Sequence, residues 1–316
     1  MRRFLEAGAA LVAAAGLAAT ASAQFHPNVI YGPDTRVDLY QVKDPKVLAL
    51  ADSTIALFQA SDVTVKDGAA KLATQNYGES SKLCKEEPFI EQGTGAFCSG
   101  SLVAPDVIMT AGHCVPSAEE CAGIKFVFGF DVKQAGVQPA SVPESQVYGC
   151  AQLIGREQNE KGADWALVRL DRKVADHQPV KLNLGGAIAN GAPLMVIGHP
   201  AGLPTKVAGG AHVRDASPEG YFVANLDTYA GNSGSAVFNE STGLVEGVLV
   251  RGEQDFVPKG DCFVSKVCPV DGCRGEDVTK ISVVAPKIPV AQEQARVAAL
   301  QPMLAQMLSQ LQEAHP

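Results

Sequence analysis

Short β-branched and apolar runs, each bounded by Gly, Pro, Asp or Asn, recur along most of this chain, and that punctuation restricts it to an all-β fold. Ser53 to Val65 reads STIALFQASDVTV, which suits one strand, and a polar connection rich in Gly and Lys follows to about Glu91. Four runs then succeed one another: Ser101 to Thr110, Ile124 to Phe130, Val147 to Ile154 and Trp165 to Leu170. A second set comprises Leu194 to Gly198, Lys206 to Val213, Gly220 to Leu226, Ala236 to Phe238 and Leu244 to Val250. The pattern predicts two all-β units with a boundary near Asp176 to Pro179. Only the tail differs. Val297, Leu300, Leu304, Met307, Leu308 and Leu311 recur at helical spacing, with Pro302 set to kink that helix. Such a stripe usually faces its own domain, so a docked C-terminal helix is expected rather than a partner-binding one.

The N-terminus bears on the compartment. Met1, Arg2 and Arg3 precede an Ala/Leu/Val-rich run from Ala7 to Ala19 and a small-residue site at Ala21-Ser22-Ala23, which together read as a cleaved signal peptide over 1–23. The run is well short of the ~20 apolar residues a membrane-spanning helix needs, so a secreted chain without stable membrane insertion is expected. The formal charge of −8 offers no basic footprint for nucleic acid and no basic amphipathic helix for a lipid surface. All eight cysteines lie beyond the signal, in a compartment that permits disulfides.

Three segments carry a coherent chemistry. Hydrolysis by a hydroxyl nucleophile needs a base, a carboxylate to hold that base in one tautomer, and N–H donors for the oxyanion. Thr110-Ala111-Gly112-His113-Cys114 supplies a His at the end of an apolar strand. Asp164 opens the run Asp164-Trp165-Ala166-Leu167-Val168 and puts a carboxylate at a strand edge. Gly231-Asn232-Ser233-Gly234-Ser235 puts a hydroxyl in a Gly-bracketed turn, where backbone N–H groups can approach a substrate. Ser235 is the alternative nucleophile. His26, His177, His199, His212 and His315 lack the strand-end cysteine context and read as surface or core residues.

FCSGSLVAPDVIMTAGHC, from Phe97 to Cys114, resembles the strand, loop and histidine segment of the chymotrypsin-like serine peptidases, and the order His, Asp, Ser is also theirs. The resemblance implies two packed six-stranded antiparallel β-barrels, with the C-terminal helix appended. It divides the chain into an N-terminal extension over 24–49 with a possible short propeptide at 24–28, a first barrel over 50–176, a second over 177–286, and a helical segment over 287–316. It also implies a secreted endopeptidase acting on protein or peptide substrates: His113 as general base and acid, Asp164 as its orienter, Ser233 as nucleophile, and the N–H groups of Gly231 and Ser233 as oxyanion hole. A disulfide between Cys98 and Cys114 follows from the same match. A catalytically silent binding homologue and an esterase using the same triad are the other functions such a scaffold could carry.

Within the family, trypsin-like members carry Asp before the nucleophile; here it is Asn232, a neutral amide that needs no buried counter-charge. Asn232 and Ser235 instead resemble the bacterial extracellular glutamyl endopeptidases, as do Asn28 to Arg36 and Val196-Ile197-Gly198-His199-Pro200. Those enzymes carry a His on the strand that walls the specificity pocket, where this chain has Leu249. The other pocket candidates are Asp227, Thr228, Arg251 and Gly252. Asp227, six residues before Ser233, stands where trypsin-like enzymes bind a basic side chain, whereas pairing with Arg251 would give it a structural role instead. Both readings stay open on the sequence.

Among the remaining cysteines, Cys121 and Cys150 flank neighbouring strand runs and are candidates for a bridge. Cys84 would pair with one of Cys262, Cys268 and Cys273, whose clustering otherwise invites a zinc reading; no His with ligand spacing lies nearby, so disulfides are expected, with no metal and no cofactor.

Overall fold

The computed structural model describes residues 29–289. The signal segment, the possible propeptide at 24–28 and the apolar stripe from Val297 to Leu311 lie outside the described residues.

Twelve strands build the frame. In the first half they are β1 (Thr54–Gln59), β2 (Cys98–Ala104), β3 (Val107–Thr110), β4 (Ile124–Val127), β5 (Val147–Gln158) and β6 (Asp164–Leu170). In the second half they are β7 (Pro193–Gly198), β8 (Lys206–Asp215), β9 (Tyr221–Ala224), β10 (Ala236–Asn239), β11 (Val245–Arg251) and β12 (Glu276–Lys280). The first six close into a barrel in the order β4-β5-β6-β3-β2-β1, and β1 pairs back to β4. The second six run β7-β10-β11-β12-β9-β8, with β8 pairing back to β7. Counted from its own first strand, each ring has the same cyclic order, although the two halves share no evident sequence repeat. Closure removes the unpaired edges that an open sheet of this size would present.

Near-continuous burial along the strands fills both barrels. Leu57, Ile108 and Leu167 of the first lie in one contiguous apolar cluster with Ile197, Phe238 and Val248 of the second, so the barrels share a core rather than meeting across a polar seam. Burying each such side chain stabilises the fold by roughly 1.5–3 kcal/mol.

Two sequence expectations are corrected. Ser53 to Val65 is not one strand. β1 ends at Gln59, a 3-10 turn covers Ala60–Asp62, and Val63–Lys66 pairs with Ala69–Leu72 in a separate small sheet. The supposed loop before Glu91 thus contributes Ala70 and Leu72, which pack with Phe58 and Phe130. Ser101 to Thr110 likewise divides into β2 and β3, because Pro105 has no N–H to donate to a ladder and Pro105-Asp106 makes the turn.

The N-terminal residues are woven into the second half. Arg36–Asp38 pairs with β8, and Ile30–Tyr31 runs parallel to Val267–Cys268. Between β11 and β12 the chain forms a hairpin, Phe256–Lys259 with Cys262–Ser265. A disulfide from Cys262 to Cys84 fastens that hairpin to the segment before β2. The remaining bridges join Cys98 to Cys114, Cys121 to Cys150, and Cys268 to Cys273.

Candidate active site

Register brings the first two functional residues together. β6 pairs with β3 so that Ala166 faces Thr110, which sets Asp164, at the start of β6, beside the residues that follow β3. One oxygen of Asp164 accepts from the backbone N–H of Gly112 at 2.6 Å and of His113 at 3.2 Å. The other lies 2.7 Å from His113 Nδ1. A carboxylate held at both oxygens has one orientation, and it fixes the imidazole with Nδ1 protonated and Nε2 turned to other work. Asp164 is buried. Its own backbone is anchored from the second barrel, since Thr279 Oγ1 on β12 accepts from Asp164 N at 2.9 Å and donates to Asp164 O at 2.8 Å.

Ser233 arrives on the turn between β9 and β10. Its carbonyl accepts from Ser99 N at 2.8 Å and lies 3.6 Å from Cys114 Sγ, so the turn is docked on the strand and the disulfide that flank His113. Ser99 organises this junction: its hydroxyl donates to Gly231 O at 2.8 Å and accepts from His199 N at 2.9 Å, while its carbonyl accepts from Thr110 Oγ1 at 2.6 Å. Two glycines are obligatory here. Gly231 has φ +93°, and a Cβ there would stand 2.6 Å from His199 O; Gly234 has φ +90°, and a Cβ would meet Ser99 O at 2.1 Å. The positive φ values turn the backbone so that the N–H groups of Gly231 and Ser233 donate to no acceptor among the described residues.

The neighbouring polar groups are structural. Asn232 is buried, and its side-chain oxygen accepts from Ser235 Oγ at 3.1 Å, so Ser235 is committed to bracing the turn. His199 is buried against Phe130 with Nδ1 3.0 Å from Leu203 O; burial pushes its imidazole down to about 3 and keeps it neutral. Cys98, His113 and Cys114 are the only three metal-ligating side chains gathered closely enough for one ion among the described residues, but both cysteines are spent in a disulfide.

The specificity candidates separate. Asp227 is buried, and both its oxygens are occupied: Tyr31 N donates to one at 2.8 Å, and Thr35 N and Oγ1 donate to the other at 2.9 and 2.6 Å. Burial still raises its carboxyl above the ordinary range. Of the partners left open for Arg251, the structure gives Asp277 rather than Asp227. Arg251 lies opposite Asp277 in the β11–β12 register, bonds it at 3.0 Å, and donates to the carbonyls of Asn159 and Gly162. Leu249 points into the core of the second barrel with Val196 and Phe222, and Gly252 follows at the strand end, half-buried. Thr228 is buried and donates from Oγ1 to Glu276 at 2.9 Å.

Reasoning from sequence missed Ser99, Thr279, Tyr31, Thr35, Glu276 and Asp255. Glu276 is fully buried, accepting also from Tyr31 Oη at 3.0 Å, and burial raises its carboxyl well above the usual value. Asp255 accepts from Ala230 N at 3.1 Å, and burial pushes it up to about 8. The signal for Glu276 was its place in Glu276-Asp277-Val278-Thr279, a strand carrying two adjacent acids; for the others no local signal existed.

A family model described as a trypsin-like peptidase domain matches residues 98–248. No curated protein matches. Among solved structures, a Glu endopeptidase in complex with MPD is similar at TM-score 0.46 and 16% identity, covering 81% of this chain and 96% of that one. The active form of the Rv3671c protease from M. tuberculosis is similar at TM-score 0.44 and 16% identity, covering 86% of this chain and 92% of that one. The VesB protease of Vibrio cholerae is similar at TM-score 0.45 and 13% identity, covering 81% of this chain and 65% of that one.

Proposed function

From a chain whose residues 98–248 match a trypsin-like peptidase domain, we propose a serine endopeptidase that cleaves polypeptides through an acyl-enzyme on Ser233. Ser233 Oγ attacks the scissile carbonyl carbon, and its proton passes to His113 Nε2. Asp164, 2.7 Å from Nδ1, holds the tautomer and stabilises the imidazolium that forms. The negative oxygen of the tetrahedral intermediate takes hydrogen bonds from the N–H groups of Gly231 and Ser233, a contribution worth about 2.7–4 kcal/mol per donor in comparable sites. His113 then returns the proton to the leaving amine, and water releases the acyl group by the reverse sequence.

The observation that carries this reading is the double grip of Asp164 on the backbone of Gly112 and His113 and on the imidazole, with Ser99 tying the Ser233 turn to the same strand. A carboxylate merely completing a core would not need an imidazole as its second partner. We further propose that the chain works after export. The four disulfides suit an oxidising compartment, and no described helix is long and apolar enough to cross a membrane.

The test is turnover of casein against small acyl esters. Peptide-bond cleavage lost on His113→Ala is the expected result. Ester turnover without detectable casein cleavage would replace the endopeptidase by an esterase on the same residues.

A further inference from the structure

Asp164 is the first residue of β6, so two things place its carboxylate: the register of β6 on β3, and the turn that delivers the chain from β5. That turn, residues 159–163, leaves Asn159, Glu160 and Lys161 exposed. Its internal bonds are local ones, from Asn159 N to Ala163 O at 2.9 Å, Gly162 N to Asn159 O at 3.2 Å and Lys161 N to Asn159 Oδ1 at 3.0 Å. An exposed tip held by such bonds alone opens locally at small cost.

The second barrel grips this turn. Arg251, the last residue of β11, donates from Nη1 to Asn159 O at 2.9 Å and from Nη2 to Gly162 O at 2.7 Å. Its Nε bonds Asp277 Oδ2 at 3.0 Å. Asp277 lies opposite Arg251 in the β11–β12 register and its side chain is only 2% exposed, so a rigid strand pair aims the guanidinium at the turn. The rigid fork of an arginine can serve a carboxylate and two carbonyls at once, which a lysine cannot. Charge compensation does not account for the arrangement, because Arg274 Nη2 already bonds the same Asp277 oxygen at 2.5 Å. With each nitrogen engaged inside the protein and its side chain 11% exposed, Arg251 is not arranged to receive an acidic substrate side chain either.

We propose that Arg251 is a positioning residue. It latches the β5–β6 turn to the second barrel and so holds the Asp164 carboxylate against Gly112 N, His113 N and the His113 imidazole. Thr279, on the strand that carries Asp277, completes the grip on the Asp164 backbone. The inference rests on the roles of His113 and Asp164 proposed above. Those two residues belong to the first barrel and Ser233 to the second, so a latch between the barrels also keeps base and nucleophile in one frame.

Hydrogen exchange of the Gly112 and His113 amides, both of which donate to Asp164 Oδ1, reads the placement of the carboxylate without requiring turnover. In Arg251→Gln these two amides should exchange at least about tenfold faster, while the β1–β4 ladder keeps its rates. On a peptide substrate kcat should fall by about 10² with KM nearly constant, the effect expected of a misplacement of about 1 Å. Arg251→Lys keeps a charge beside Asp277 without the fork and should lose about tenfold in kcat; it decides the matter if the Gln variant does not fold. Arg274→Gln removes a donor from Asp277 without touching the turn, and should keep kcat within about twofold. Unchanged exchange at Gly112 and His113 in a folded Arg251 variant, faster exchange spread over all strands alike, a raised KM at constant kcat, or an equal loss in Arg274→Gln would each overturn the proposal. An unaltered chain that cleaves no peptide would instead refute the endopeptidase, and the amide exchange would still decide the latch.

Discussion

Two groups of buried carboxylates lie on either side of the Ser233 turn and are handled in opposite ways. Asp164 spends one oxygen on two backbone N–H groups and the other on an imidazole that can change its charge. Asp227 and Glu276 spend theirs on backbone N–H groups and hydroxyls, with no cationic side chain within ion-pair distance among the described residues. The first arrangement suits the proton transfer proposed above; the second fixes a shape. Asp227 acts as a peg on which residues 31–35 are hung, and the adjacent Thr228 N donates to Val29 O at 3.3 Å. An acid six residues before Ser233 is therefore not by itself a charge reader, because both its oxygens already accept hydrogen bonds from the protein.

The comparison breaks first at the nucleophile. Ser233→Ala should lower kcat on a peptide substrate by about 10⁶, with unfolding unchanged, by analogy with triad knock-outs elsewhere. If Ser235→Ala lost activity while Ser233→Ala kept it, the turn would be in the wrong register. Asp164→Asn should lower kcat by about 10⁴ by favouring the wrong imidazole tautomer, read by steady-state kinetics. A small effect there would make Asp164 another shape-fixing acid and erase the contrast.

Stability comes next. Replacing Cys98 and Cys114 together by Ala opens a loop spanning 16 residues and should cost roughly 3 kcal/mol in denaturant unfolding, along with activity, because the bridge also carries His113. Asp227→Ser strands the donors of Tyr31 and Thr35 and should cost about 1–3 kcal/mol. Assayed on peptides that differ only before the scissile bond, it should lower cleavage of all of them alike. Selective loss after Arg and Lys would instead make Asp227 the reader of substrate charge.

Asp255 gives an effect that depends on pH, with a definite sign. Its carboxyl is raised to about 8 by burial, so between roughly pH 4 and pH 8 the folded chain holds a proton that the unfolded chain has lost. Its contribution to stability therefore falls as pH rises through that window. Asp255→Asn should flatten the decline, by up to about 1.4 kcal/mol per pH unit. An unchanged slope in pH-dependent melting would show that Asp255 titrates normally.

The contrast also explains what the sequence disclosed. The residues proposed as catalytic sit at strand ends and in a Gly-bracketed turn, and those are local signals that order and spacing can carry. Eleven of the twelve strands were visible as short apolar runs bounded by turn residues, with Pro105 splitting one run and Ala60–Asp62 interrupting another; β12, Glu276–Lys280, was not among those runs. The acid cluster was opaque because its partners are remote: Tyr31 is 196 residues from Asp227 and 245 from Glu276. The partner of Arg251 stayed open on the sequence because choosing Asp277 over Asp227 requires the β11–β12 register, which composition does not encode.

The most direct test of the central claim is to label the folded protein with a fluorophosphonate and locate the adduct by peptide mass spectrometry. The account predicts one stoichiometric phosphonyl group on Ser233, formed slowly or not at all in Asp164→Asn and absent in His113→Ala. An unlabelled protein, or an adduct on Ser235 or any other hydroxyl, would contradict it.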